Sequence, residues 1–223
     1  MDKVTIYFCK ITDTEIDRSV VRFLPPNRQD RITNSMRKSS AVQLYISSML
    51  CDFVLRKHGL SLSKVKHNSD GKPYVDAELH FNISHSGDYV VLALSDREIG
   101  IDIQKNVPIS ERAAKFFLNA EEIAFVKEHP EISLAHLWCK KEAFLKCLGC
   151  GWNNKEAHKC PTLSDKIVFR SDEYFLTDCD VVENYFLVVC EKNLPHREFV
   201  TQEVSKCELE RFFREHYGND PRK

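Results

Sequence analysis

No apolar run in this sequence is long enough to cross a membrane. The N-terminal Met1-Asp2-Lys3, followed only by the short run Val4-Thr5-Ile6-Tyr7-Phe8, lacks the stretch that a secretion signal requires. The chain is therefore expected to be cytoplasmic, with no membrane partner. It also lacks an excess of charge of either sign: 32 Lys and Arg stand against 33 Asp and Glu, a formal net charge of −1. Without a global basic field no nucleic-acid partner is expected, and any polyanionic group must be met by a local cluster of Lys and Arg. The expected ligand is small or focal. The nine cysteines are odd in number and show no framework-like spacing, so they read as small buried hydrophobes. Cys147, Cys150, His158 and Cys160 come nearest to a zinc set, but their second half is too cramped for the usual knuckle spacing.

What is present is ordinary for a soluble globular protein: 223 residues, 43% hydrophobic and 29% charged, enough for one large domain or two small ones packed together. Val4 to Cys9 suits a first strand. Met36 to His58 has helical spacing, with Leu44, Met49, Phe53 and Val54 repeating before Gly59 ends it. A loop is expected from Leu60 to Pro73. Three strand-like runs follow, His80 to Ser84, Tyr89 to Leu94 and Glu98 to Ile103, separated by turns and read as an antiparallel meander. Ile109 to Leu148 reads as helical, with Asn119 capping ahead of Glu121 and Glu122 and with Gly149 and Gly151 closing the last helix. Strands return after Ile167. The tyrosine-led runs 88–94 and 184–190 echo one another and suggest a duplicated α+β unit with its break just after Gln104.

Three clusters carry chemistry. In Glu98-Ile99-Gly100-Ile101-Asp102-Ile103-Gln104, strand alternation puts Gly100, Asp102 and Gln104 on one face and the isoleucines on the other. The two oxygen-bearing side chains then stand about 7 Å apart, two rises along a strand, and suit a hard cation. A solvated edge strand is the plain alternative. In Trp138-Cys139-Lys140-Lys141-Glu142-Ala143-Phe144-Leu145-Lys146, a helix stacks Trp138, Glu142 and Lys146 on one face. The plain alternative there is a routine surface Glu–Lys pair. The third cluster joins Gly71-Lys72-Pro73-Tyr74 to Phe81-Asn82-Ile83-Ser84-His85-Ser86-Gly87, where hydroxyl, imidazole and backbone N–H donors suit phosphate oxygens.

Taken in order, Gly71-Lys72-Pro73, Phe81-Asn82-Ile83-Ser84-His85-Ser86, Gly100-Ile101-Asp102, Phe116-Phe117, Trp138, Lys141-Glu142 and Lys146 resemble the surfactin-synthetase-activating class of 4′-phosphopantetheinyl transferases. The resemblance implies an α+β fold of two pseudo-twofold halves, 1–105 and 106–223, with antiparallel sheets and the active site in the cleft between them. It implies Mg²⁺, coenzyme A as co-substrate, an apo acyl or peptidyl carrier protein as partner, and a length that needs no second chain, hence a monomer. Carried over residue by residue, Asp102 and Glu142 ligate magnesium and Gln104 sits at the metal, where many members have a second acid. Lys72, Pro73, Ser84 and His85 contact coenzyme A, and Lys141 and Lys146 line the pyrophosphate side. Arg28 and Arg31 meet the nucleotide's 3′-phosphate. Glu142, or a metal-bound water that it orients, is the base for the carrier serine, with Asp102 and Lys146 completing the catalytic set. Carrier docking is expected near Phe116-Phe117-Leu118. Two rival readings are a silent coenzyme A-binding or scaffold relative, of which Gln104 would be an early sign, and a hydrolase built on Cys139 or on Ser84 with His85.

Overall fold

The computed structural model describes residues 3–193 and 198–218; Met1 and Asp2, which open the N-terminal stretch read above as lacking a secretion signal, lie outside them. The chain runs β1 (Lys3–Lys10), α1 (Arg18–Val21), α2 (Pro26–Thr33), α3 (Lys38–Arg56), β2 (Lys66–His67), β3 (Pro73–Tyr74), β4 (His80–Ser86), β5 (Tyr89–Ser95) and β6 (Ile99–Lys105). It continues through α4 (Glu111–Phe117), α5 (Ala120–Glu128), α6 (Leu134–Leu148), α7 (Lys155–His158), β7 (Lys166–Phe169), β8 (Asp172–Asp178), β9 (Tyr185–Lys192), β10 (Glu198–Glu203) and α8 (Lys206–Tyr217). Local chemistry explains several boundaries. Asn119 and Glu122 form a reciprocal capping box at the start of α5. Helix α6 stops where Gly149 turns left-handed, with φ 69°. The segment expected as loop after α3 carries the short β2–β3 ladder, Lys66 opposite Tyr74 and His67 opposite Pro73. Among the described residues no helix is long and apolar enough to cross a membrane.

Two four-stranded sheets result, in the orders β10-β1-β5-β4 and β6-β9-β8-β7. The strand order β1-β5-β4, with α3 between β1 and β4 in the chain, recurs as β6-β9-β8, with α6 between β6 and β8. Both copies are antiparallel throughout these pairs. The echoing strands are thus equivalent, and their leading Tyr89 and Tyr185 meet edge to face at 5.1 Å. The expected meander is corrected here: β6 does not hydrogen-bond to β5 but opens the second sheet, pairing with β9 from Ile99 opposite Glu191 to Lys105 opposite Tyr185. The apolar pattern of Ile99, Ile101 and Ile103 marks a face to bury, and two partners were available for it.

Alternation along the continuous apolar strands sets the layers. Val90, Leu92 and Leu94 of β5 face a core shared with α3 and α8, whereas Val91 and Ala93 face the other way. There they join Val4 and Ile6 of β1, the three isoleucines of β6, and Leu187 and Val189 of β9. Val188 and Cys190 of β9 look out again onto α6. Strands β5 and β9 are buried on both faces, which is why these two runs are apolar throughout rather than alternating. The second sheet lies so close to α6 that a Cβ at Gly100 would run into the Ala143 carbonyl and the Cys147 amide. Glycine at that position lets β6 and α6 meet.

Candidate active site

Edge strands β4 and β6 run beside one another where the sheets meet, and side chains rather than a backbone ladder knit them. Asn82 Oδ1 accepts from Ile101 N at 2.9 Å, Ser84 Oγ donates to Asp102 Oδ1 at 2.6 Å, and Ser86 Oγ accepts from Lys105 N at 3.1 Å. The period-2 polar residues of Asn82-Ile83-Ser84-His85-Ser86 are that seam. A cavity of about 800 Å³ opens over it, with Arg28, Arg31, Ser84, His85, Asp102, Gln104, Trp138, Glu142 and Lys146 among its lining residues.

Asp102 is only 4% exposed, so the solvated-edge alternative does not apply. Its Oδ1 takes Ser84 and, at 2.5 Å, Lys146 Nζ; Oδ2 is buried and has no hydrogen-bond partner among the described residues. A buried carboxylate oxygen left bare is costly unless a cation or donor reaches it. Lys146 Nζ also donates to Ser84 Oγ at 2.8 Å and lies 4.0 Å from Glu142 Oε2. Burial alone would lower the Lys146 pKa, but Asp102 and then Glu142 outweigh it, so the ammonium form is held more firmly than usual. Burial raises the Glu142 pKa above the ordinary carboxylate value, with Lys146 partly offsetting it. The other Glu142 oxygen, Oε1, accepts from Trp152 Nε1 at 2.5 Å. Helix α6 presents Trp138, Glu142 and Lys146 at four-residue steps, as the spacing predicts.

Across the cavity, α2 supplies Arg28 and Arg31, neither of which meets a carboxylate among the described residues. Burial, and secondarily Arg31, lowers the Arg28 pKa. His67 is likewise lowered by burial and by both arginines. Two arginines lining one cavity, with no carboxylate partner among the described residues, make a site for an anion. His85 is kept neutral to lower pH by burial, then by Lys146. The donor set of Asp102, Glu142 and the Gln104 carbonyl is all oxygen, which fits a hard divalent cation, and the bare Asp102 Oδ2 is the observation that most invites one.

Three expected contact residues do not line this cavity. Lys72 Nζ is spent on the Ile99 and Cys147 carbonyls, at 3.1 and 3.0 Å, tying β6 to the end of α6. Pro73 lies beside it in β3. Lys141 sits on another face of α6, with 0% side-chain exposure, paired to Glu122 at 3.4 Å. The helix repeat of 3.6 residues turns adjacent Lys141 and Glu142 about 100° apart, so both cannot look into one cavity. Of the expected docking patch, Phe117 and Leu118 are core and only Phe116 is exposed. Cys139 Sγ points at the Asp102 and Phe186 carbonyls inside the protein, so it offers no accessible nucleophile. Cys147 Sγ faces the Glu98 carbonyl and Cys160 Sγ the Glu156 carbonyl, which leaves the zinc reading without a shared centre. Sequence reasoning missed Trp152 and the α2–α3 residues Asn34, Ser40, Gln43 and Ser47 that line the arginine end; the polar run inside an otherwise apolar α3 was the available signal for the last three.

Two family models match end to end: "4′-phosphopantetheinyl transferase, N-terminal" over residues 13–97, and "4′-phosphopantetheinyl transferase superfamily" over residues 98–185. They meet just ahead of β6. The chain is 28% identical over 219 residues to 4′-phosphopantetheinyl transferase Sfp of Bacillus subtilis (strain 168), spanning 92% of this chain and 97% of that protein. It is 30% identical over 182 residues to a 4′-phosphopantetheinyl transferase of Bacillus subtilis, spanning 73% and 80%. It is also 30% identical over 159 residues to 4′-phosphopantetheinyl transferase gsp of Aneurinibacillus migulanus, spanning 66% and 67%.

Proposed function

The chain belongs to the 4′-phosphopantetheinyl transferase superfamily, and from that premise we propose that the cavity over the β4–β6 seam is where the group is transferred. The enzyme moves the phosphopantetheine of coenzyme A onto a carrier protein. The observation that carries the site assignment is the convergence of Asp102 and Glu142, 40 residues apart in sequence, on one lysine, in a cavity also lined by two arginines that meet no carboxylate among the described residues. Residues 1–105 supply Arg28, Arg31, Ser84, His85, Asp102 and Gln104, and residues 106–223 supply Glu142 and Lys146. That division supports an active site formed where two halves meet, complete within a monomer.

Arg28 and Arg31 take the phosphate-bearing nucleotide end of coenzyme A, and His85 and Ser84 offer polar contacts along it. Asp102, Glu142 and the Gln104 carbonyl would hold Mg²⁺. When bound, the ion neutralises charge on the diphosphate oxygens. Ser84 and Lys146 secure Asp102 Oδ1 and leave Oδ2 as the free donor. Glu142, its basicity increased by burial, accepts the proton of the carrier serine hydroxyl. The serine oxygen forms its bond to phosphorus as the bond to the 3′,5′-ADP oxygen breaks. Lys146 neutralises the charge that this leaving group carries away.

The test is incubation with coenzyme A, Mg²⁺ and a panel of apo carriers, read by intact mass. The expected result is a carrier heavier by one phosphopantetheine, dependent on the metal. Coenzyme A binding with no carrier modified in any arm would refute the transfer reading.

A further inference from the structure

Trp152 lies ten residues beyond Glu142, past the glycine turn that ends α6, and its indole Nε1 donates to Glu142 Oε1 at 2.5 Å. The ring has little freedom. Trp138 stacks on it with centroids 4.8 Å apart and planes 16° apart, Phe116 packs at 5.5 Å, and His158 meets it edge-on at 4.7 Å. Three rings therefore fix the direction in which the N–H points. An indole N–H can only donate, so this contact favours the ionised carboxylate and occupies one of its oxygens without contributing charge.

We propose that Trp152 is a positioning residue for the transfer reaction: it pins Glu142 Oε1 so that Oε2 stays turned toward Lys146 and Asp102. Oε2 stands 4.0 Å from Lys146 Nζ, and Nζ stands 2.5 Å from Asp102 Oδ1. A free glutamate has three rotatable bonds, and each alternative rotamer lost on engagement weakens binding. Holding one oxygen in advance removes that loss, which is how partners behind a metal-ligating carboxylate act. This inference rests on the reading of Glu142 as a magnesium ligand. Trp152 does not line the cavity, so its effect passes through Glu142.

The test measures Mn²⁺ binding in the presence of coenzyme A, by electron paramagnetic resonance of the free ion, for wild type, Trp152→Phe and Trp152→His. Phenylalanine keeps an aromatic ring in the stack and loses the donor. Histidine restores one, because its Nε2 occupies the ring position of the indole Nε1. Trp152→Phe is expected to weaken Mn²⁺ binding about 10–100-fold and to lower kcat while leaving KM for the carrier unchanged. Trp152→His is expected to recover much of the affinity. Wild-type affinity in Trp152→Phe, or equal losses in the two variants, would overturn the proposal and reduce Trp152 to packing. Absence of Mn²⁺ binding in wild type itself is a different result, and it would overturn the metal reading of Glu142 along with this one.

Discussion

Replacing Lys141 with methionine separates a buried ion pair from an active-site contact. Lys141 and Glu122 side chains are both 0% exposed and lie 3.4 Å apart. Lys141 Nζ also donates to the His158 carbonyl at 3.4 Å and to that of Cys160. Glu122 Oε1 accepts from Thr162 N and Oγ1 at 2.6 and 3.0 Å, and Oε2 takes Asn119 N at 2.9 Å. Burial lowers the Lys141 pKa, with Glu122 opposing that shift. Removing one member of such a pair strands the other charge, at about 3–5 kcal/mol. For a chain of this size that is a fall in Tm of roughly 6–20 °C. The assay pairs a thermal melt with steady-state kinetics below the transition: Tm falls, and KM for coenzyme A is unchanged. Adding Glu122→Gln, which keeps acceptors for Thr162 while removing the stranded charge, recovers part of the loss. An unchanged Tm with a raised KM for coenzyme A would refute this reasoning and return Lys141 to the pyrophosphate.

Gly100→Ala drives a methyl into the Ala143 carbonyl and the Cys147 amide; it should cost about 1–3 kcal/mol and depress kcat by parting β6 from α6, checked by melting and turnover. Gln104→Glu adds a ligand charge, so the Mg²⁺ concentration for half-maximal activity should fall; an unchanged or higher value would count against Gln104 sitting at the metal. Arg28→Ala or Arg31→Ala removes a charged phosphate contact of about 1.5–3 kcal/mol, raising KM for coenzyme A by roughly tenfold or more while barely affecting KM for dephospho-coenzyme A. Equal effects on both substrates would detach the arginines from the 3′-phosphate.

Much of the site could be read from residue order because its pieces are local. Strand alternation around Asp102 and the four-residue steps of Trp138, Glu142 and Lys146 each specify a face, and the structure turns both faces into one cavity. The capping box of Asn119 and Glu122 was half visible as a cap followed by acids, but nothing in the sequence marks Glu122 as buried. Lys72 and Lys141 looked like phosphate contacts because a lysine beside a functional residue carries no sign of where its amine ends; their partners are carbonyls and a carboxylate distant in the chain. The departure of β6 into the second sheet was hidden for a related reason. Periodicity tells which side of a strand is apolar, whereas the choice between β5 and β9 as neighbour depends on the packing of α6 against Gly100.

The account's central claim is that Asp102 and Glu142 act together on one ion, and it is tested most directly by intact-mass measurement of an apo carrier incubated with coenzyme A, Mg²⁺ and either Asp102→Ala or Glu142→Ala. Both substitutions remove metal-binding charge rather than core volume, so the predicted result is two folded proteins, Asp102→Ala melting lower because Lys146 loses its 2.5 Å partner, and no mass gain on the carrier from either. Near-normal modification by either variant would contradict it.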